Sequence, residues 1–118
     1  MTVIMRSEIQ HMAKNGSNLS INLSAVAYRE NDLWLAHCLE LDIVAEARGV
    51  DDAIRSLISL CDLQIKVAIE EGDLQSIFRP APAEIWKLFA LAQKKQVQRK
   101  NSFKAPVHRF ETRQMAVA

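Results

Sequence analysis

The amino-acid sequence predicts an α+β fold: a three-stranded antiparallel sheet, a long helix packed on it, and a second helix towards the C-terminus. Two observations carry this prediction. Apolar and polar residues alternate over residues 19–29, and an extended run resumes after a short polar turn, which is the pattern of a β-hairpin. Residues 50–71 then repeat apolar residues at helical spacing between two glycines. With 118 residues, the chain has room for one compact core.

The N-terminal segment carries a weaker helical pattern. Its apolar residues fall loosely on one helical face, and it is followed by Asn15-Gly16, two residue types that commonly end helices. The sequence therefore leaves open a short N-terminal helix. The residues of that face are Val3, Ile4, Met5, Ile9 and Met12.

Three extended segments follow. The first, residues 19–29, is separated from the second, residues 33–38, by Asn31-Asp32, whose residue types tolerate turn dihedrals. The third strand is predicted over residues 42–47. These segments give the three-stranded sheet.

The long helix is predicted over residues 50–71. Gly49 fits the N-cap, Asp51 and Asp52 complement the helix dipole in the first turn, and Gly72 is the C-terminal stop. Its apolar residues cover about half of the circumference, more than one packed face needs. The helix is therefore expected to contact the sheet and also the second helix or another subunit.

The second helix is predicted over residues 82–97, with Pro82 in its first turn. We expect residues 1–97 to form a single domain and residues 98–118 to form a basic, mobile tail. Within that tail, residues 107–114 have an edge strand as an alternative.

Charge is distributed unevenly along the chain. Residues 1–84 hold 7 Lys or Arg and 13 Asp or Glu, a net charge of −6, whereas residues 85–118 hold 8 and 1, a net charge of +7. No apolar run is long enough to span a membrane, and the N-terminus lacks a secretory signal pattern. A cytoplasmic protein without membrane contact is the expectation.

Strand alternation assigns the hairpin residues to two faces. If Glu30 pairs with Leu33, then Cys38 lies on the face that the long helix covers, together with the small residues Ala25 and Ala36. The opposite face is apolar and predicts an interaction surface, with pairing of subunits as the preferred cover. A homo-oligomer, dimer or tetramer, is therefore expected. The predicted interface residues are Val26, Tyr28, Leu33, Leu35 and His37.

The sequence offers no convincing catalytic, cofactor or metal site. His37 and Cys38 are adjacent on a strand and point to opposite faces, and no Cys/His spacing typical of zinc and no phosphate-cradling glycine motif is present. Glu40 and Asp42 are the least explained acids, so a paired-carboxylate site is a weaker alternative. We expect a protein that is not an enzyme.

Basic residues near the C-terminus support a different function. They could contact nucleic-acid phosphates without sequence specificity, although a solvated basic tail explains them as well. A nucleic-acid-binding transcriptional regulator is the alternative hypothesis. The candidate contact residues are Lys94, Lys95, Arg99, Lys100 and Lys104.

The stretch AYRENDLWLAHCLELDIVAEARGVDDAIRSLISL, residues 27–60, resembles the HicB-like family. Members show a hairpin, a Trp/Tyr-x-Ala-x-Cys second strand, an acidic-leucine connector and a third strand that runs into a Gly-x-Thr-x-x-Glu-Ala helix start. The resemblance covers about residues 19–70. The matching residues are Trp34, Ala36, Cys38, Glu40, Leu41 and Ala53, with Asp52 in the acidic place before Ala53.

This resemblance implies a truncated ribonuclease H-like fold without catalytic acids, homo-oligomers and, for antitoxin members, a small HicA-like toxin protein as partner. Ala47 and Gly49 stand where the family has glycine and threonine, which weakens the helix cap. The leading hypothesis is a non-enzymatic, oligomeric HicB-like protein that acts by protein–protein binding, as an antitoxin-like or orphan regulator.

Overall fold

The computed structural model describes residues 2–12, 16–99 and 112–116. The fold is α+β, with an antiparallel sheet and two helices. The sheet order is β4-β3-β2-β1-β5. In chain order the elements are β1 (Thr2–Met12), β2 (Asn18–Glu30), β3 (Leu33–Cys38), β4 (Ile43–Ala47), α1 (Val50–Glu71), a short 3₁₀ helix (Leu74–Ile77), α2 (Ala83–Arg99) and β5 (Thr112–Ala116).

The N-terminal segment is a strand, so the predicted N-terminal helix and the count of three strands are both wrong. β1 pairs with β2, and the first half of the chain therefore forms four strands, to which β5 adds a fifth beside β1. Along β1, Met5, Ser7 and Ile9 are buried, whereas Arg6 and Gln10 are exposed and Glu8 is half-buried. This period of two is the strand pattern, and it fits the segment better than the loose helical spacing.

The β2–β3 hairpin forms with the predicted register. Glu30 pairs with Leu33, and Ala25 pairs with Cys38. Asn31 occupies the turn with a φ of 58°, in the left-handed region that asparagine tolerates better than most residues. The turn chemistry thus sets which residues face each side of the sheet.

Both helices lie where the sequence predicts them. Gly49 is the N-cap of α1 in extended conformation, without a side-chain hydrogen bond, and Gly72 is its C-cap with a φ of 70°. Helix α2 extends slightly beyond the predicted range 82–97, ending at Arg99. Glycine at both ends of α1 is consistent with helix termination chemistry.

The two helices lie on opposite faces of the sheet. We call the face against α1 the inner face and the other the outer face. On the inner face, Cys38 packs with Leu57, Cys61 and Ile65 of α1 in the larger buried cluster. The outer cluster is smaller and includes residues of α2. The molecule is therefore three layers thick, helix, sheet and helix.

The C-terminal segment contributes β5, which pairs antiparallel with β1 from Thr2 opposite Ala116 to Arg6 opposite Thr112. The predicted edge strand over residues 107–114 overlaps it. The remainder of the predicted tail, residues 100–111 and 117–118, lies outside the described residues. Among the helices that the structure describes, none has the length and apolar character needed to cross a membrane.

Candidate functional site

Helix α2 covers the centre of the outer face. Phe89 and Ala92 pack on Ile4 of β1 and Val26 of β2, and Leu39, which follows β3, completes this cluster. The Arg6 guanidinium lies 5.9 Å from the centre of the Phe89 ring, close enough for a cation–π interaction. Subunit pairing was the expected cover of this face, but α2 of the same chain covers its centre.

The five predicted interface residues therefore fall into two groups. Val26 is fully buried and His37 is 6% exposed, so neither is available to a partner. Tyr28 is half-buried at the margin of the α2 cluster. Leu33 and Leu35 are also half-buried and belong to neither cluster.

The sheet beyond α2 carries a small apolar strip. Leu33 and Leu35 share the outer face with Val44 of β4, which is 43% exposed. We call these three residues the outer strip. Glu30 and Glu46 flank it and are exposed, so the strip has an acidic rim. A partly exposed apolar surface with a polar rim is the ordinary form of a protein-binding site.

The connector between β3 and β4, residues 39–42, is held by backbone hydrogen bonds from three directions. The N–H of Leu39 donates to the carbonyl oxygen of Ser24 (2.9 Å), and the N–H of Asp42 donates to that of Cys38 (3.0 Å). The N–H groups of Arg79 and Ala81 donate to Glu40 and Leu39 at 3.0 and 2.8 Å. The chain therefore passes this connector on its way from α1 to α2.

Glu40 has a structural role in this connector. Its Oε1 atom accepts a hydrogen bond from the backbone N–H of Ser24 at 2.7 Å. The carboxylate thus supplies a partner to a β2 backbone donor beyond the last β3 pairing, which is Ala25 with Cys38. Its Oε1 also lies 3.9 Å from Cys38 Sγ.

Asp42 binds His37. The carboxylate oxygen Oδ1 lies 2.6 Å from His37 Nε2, and Asp42 has a φ of 53°. His37 Nδ1 is buried without a hydrogen-bond partner. The tautomer with hydrogen on Nε2 donates to Asp42 and leaves Nδ1 without a hydrogen to satisfy, so this tautomer fits the site best.

Glu40 and Asp42 do not form a shared carboxylate site. Glu40 lies near Cys38, an inner-face residue, whereas Asp42 binds His37, an outer-face residue. A mechanism with paired carboxylates requires both groups around one substrate. Across the described residues, no group of three or more His, Cys, Asp or Glu side chains is arranged to hold a metal ion.

Tyr28 reports on the margin between α2 and the outer strip. Its pKa is raised, first because partial burial disfavours the phenolate and then because Glu30 and Glu84 repel it. Glu84 lies in the first turn of α2. The pKa of Tyr28 therefore depends on the packing of α2 against the sheet.

The outer edge of β4 has no neighbouring strand among the described residues, since β4 ends the sheet. Asp42 and Arg48 lie just before and just after β4, and both are exposed. Backbone N–H and C=O groups on an open edge are available to another strand. This edge adjoins the outer strip through Val44.

The candidate nucleic-acid contacts are only partly described. Lys94 is exposed on α2, and Lys87 is exposed seven residues earlier, on the same side of the helix. Lys95 and Arg99 belong to the last turns of α2. Lys100 and Lys104 lie outside the described residues.

Comparisons with known proteins give no match. No protein-family model matches the chain, and neither the search of curated proteins nor the search of solved structures found a match.

Sequence reasoning missed three features of this site. It did not pair His37 with Asp42, although the two are only five residues apart in the sequence. It did not assign α2 to the outer face, although an apolar helix face and an apolar sheet face both required a cover. It also omitted Val44, which the alternation of the third strand places on the outer face.

Proposed function

We propose that this chain is a non-enzymatic, HicB-like protein that forms homodimers and acts by binding another protein. The observation that carries this proposal is the open edge of β4 beside the outer strip. An open edge and a partly exposed apolar surface are each suited to protein binding, and here they are contiguous through Val44.

The β4 edge is self-complementary in charge. If two copies pair antiparallel about a two-fold axis at Ala45, Asp42 of each copy lies opposite Arg48 of the other, because their positions are equally distant from residue 45. Val44 then pairs with Glu46, and Ile43 pairs with Ala47. Such pairing forms a continuous sheet and joins the two outer strips into one larger surface.

The residues that resemble the HicB-like family have framework positions that suit this proposal. Glu40 bonds the backbone of Ser24, and Leu41 and Ala53 are buried in the inner cluster. These positions belong to the scaffold and leave the outer strip free to bind a partner. The acidic rim of the strip fits a basic partner, such as a small HicA-like toxin.

The dimer is tested by sedimentation equilibrium of the full chain over a wide range of concentration. Arg48→Glu places two carboxylates opposite each other at both ends of β4, so we expect the dimer dissociation constant to rise about tenfold. Adding Asp42→Asn should restore part of the affinity, since asparagine tolerates the φ of 53°. Lys66→Glu, an equal charge change at an exposed site on α1, is the matched control.

A chain that remains monomeric at the highest concentration would reject the dimer. Equal effects of Arg48→Glu and Lys66→Glu would reject the β4 edge as the interface. For the heterologous partner, co-expression with a small basic protein encoded by the neighbouring reading frame should give a stable complex that Val44→Lys weakens. Without such a neighbour, an orphan regulator is favoured.

A nucleic-acid-binding regulator is the second candidate, because Lys87 and Lys94 are both exposed on one side of α2. The double substitution of Lys94 and Lys95 by glutamate should then weaken duplex DNA binding and reduce its salt dependence. Substitution is preferable to deletion, since deletion of residues 94–118 also removes β5. If the double variant binds duplex DNA as tightly as the Lys66→Glu variant does, this candidate is rejected.

A further inference from the structure

The two cysteines of the chain meet between the sheet and α1. Cys38 ends β3 on the inner face, and Cys61 lies in the buried stripe of α1. They are 1% and 2% exposed, and both thiols are free. Both residues belong to the inner cluster and line the same small cavity between the sheet and α1. Two thiols that line one small cavity between neighbouring elements can be joined by oxidation if the backbone geometry suits a disulfide.

The two thiols are chemically unequal. The hydrogen bond from Cys61 lowers the pKa of Cys38, while the same bond and burial raise the pKa of Cys61. Cys38 is therefore the thiol that ionises first, and the thiolate is the form that reacts with oxidants. Cys61, whose pKa is raised, keeps its proton and is the second thiol that lines the cavity.

Cys38 and Cys61 both line a small cavity. It measures about 10 Å³, close to the room that one water-sized group needs. Ser7 also lines this cavity; it is 4% exposed, and its Oγ has no hydrogen-bond partner. A buried hydroxyl without a partner is unfavourable. An oxygen atom added to Cys38 would find both space and a hydroxyl group in this cavity.

We propose that Cys38 and Cys61 form a peroxide-oxidisable pair that closes a disulfide between β3 and α1. Hydrogen peroxide is the oxidant. The Cys38 thiolate attacks one peroxide oxygen, the O–O bond breaks, and the departing hydroxide takes a proton to become water. Cys38 is then a sulfenic acid with its oxygen in the cavity beside Ser7.

In the second step the Cys61 sulfur attacks the Cys38 sulfur. The S–O bond breaks, and the departing hydroxide takes the Cys61 proton to form a second water. In sum, one peroxide is reduced to two waters and two thiols are oxidised to one disulfide. The bond ties the sheet to the middle of α1 across the connector, β4 and the first half of the helix. It is independent of the proposed dimer.

The experiment treats the full reduced chain with hydrogen peroxide, quenches it in denaturant with an alkylating agent, and measures the intact mass and linked peptides. We expect both thiols to be lost together, with a mass decrease of two hydrogen atoms and a Cys38–Cys61 linkage. The oxidised chain should melt at a higher temperature, since the cross-link restricts the unfolded chain. Dithiothreitol should restore both thiols and the original melting temperature.

Two variants separate the steps. In Cys61→Ser, Cys38 should stop at the sulfenic acid and be trapped by dimedone. In Cys38→Ser, Cys61 should react more slowly than Cys38 does in the other variant. Peroxide treatment of the wild-type chain alone is enough to decide whether the proposal holds. If its thiols stay reduced under conditions that oxidise the urea-unfolded chain, or if it yields only intermolecular disulfides or sulfinic acid, the proposal is overturned.

Discussion

Two acidic side chains in the connector between β3 and β4 bind groups of the neighbouring strands. Glu40 accepts the Ser24 N–H at 2.7 Å, and Asp42 binds His37 at 2.6 Å. A charged acceptor strengthens such a bond, and a buried donor without a partner is costly. Glu40 and Asp42, the two acids considered as a paired-carboxylate site, therefore fix the conformation of the connector.

Replacing Glu40 tests this role directly. Glu40→Ala leaves the Ser24 N–H without its acceptor, so we expect the free energy of unfolding to fall by about 1–3 kcal/mol. Glu40→Gln keeps a carbonyl acceptor and should lose less. Chemical denaturation measures both, with the exposed Glu46→Ala as control, expected to change stability by about 0.5 kcal/mol or less. Equal losses for Ala at both positions would contradict the structural role.

Tyr28 gives a spectroscopic test, since it is the single tyrosine of the chain. Its pKa is raised above 10.0 in the folded protein, so its phenolate absorbance should appear at a higher pH than in the urea-unfolded chain. The folded protein therefore holds the phenol proton of Tyr28 up to a higher pH than the unfolded chain does. The contribution of Tyr28 to the free energy of unfolding is complete below the pKa of Tyr28 in the unfolded chain. It is lost as the pH rises through the pKa of Tyr28 in the folded protein. Glu84→Gln should lower the midpoint; a midpoint unchanged by unfolding would contradict the placement of Tyr28.

At the scale of elements, the two ends of α1 differ in what a side chain would do. Gly49 has an ordinary extended conformation, and an added Cβ would meet only Asp52 Oδ2 at 3.8 Å. Gly72 has a φ of 70°, which a Cβ disfavours. The glycine is needed at the second position and is replaceable at the first.

We therefore predict opposite effects of two substitutions. Gly49→Ser supplies a side-chain oxygen to the N–H groups of the first turn and should raise the free energy of unfolding by a few tenths of a kcal/mol. Gly72→Ala should lower it by about 1 kcal/mol. Urea denaturation measures both variants against the wild-type chain. The same sign for both would show that the assigned caps are wrong.

Helix α2 depends on its contact with the outer face. Phe89 is 6% exposed and packs in the outer cluster, so Phe89→Ala should destabilise the protein by about 3 kcal/mol or more. It should also bring the pKa of Tyr28 closer to its unfolded value if α2 loosens. Leu91→Ala, on a residue that is 59% exposed, is the control. Loss of stability from the control alone would mean that α2 packs with a different face.

For the whole molecule, the proposed dimer predicts that stability depends on protein concentration. Association of folded chains stabilises them by mass action, so the melting temperature should rise with concentration. Arg48→Glu should reduce this dependence, whereas Lys66→Glu should preserve it. Differential scanning calorimetry at several concentrations measures the effect. A melting temperature independent of concentration in the wild-type chain speaks against a dimer coupled to folding.

The sequence by itself determined the β2–β3 hairpin, its register and both helices. These elements depend on local chemistry: the turn at Asn31, the glycines at the ends of α1 and the period of the apolar residues. The alternation along β3 separated His37 from Cys38 and placed Cys38 on the face that α1 covers. The N-terminal strand was missed because a few apolar residues can satisfy a helical and a strand period at once.

Only the tertiary structure decided what covers the outer face and which polar groups meet. Helix α2 could have packed on α1, on another subunit or on the sheet, because an apolar face does not specify its partner. The Asp42–His37 contact depends on a positive φ at Asp42, and the Glu40 contact depends on where β2 runs beyond its last pairing with β3. Such contacts join segments whose relative position is set by the packing of the whole chain, so local sequence pattern alone cannot specify them.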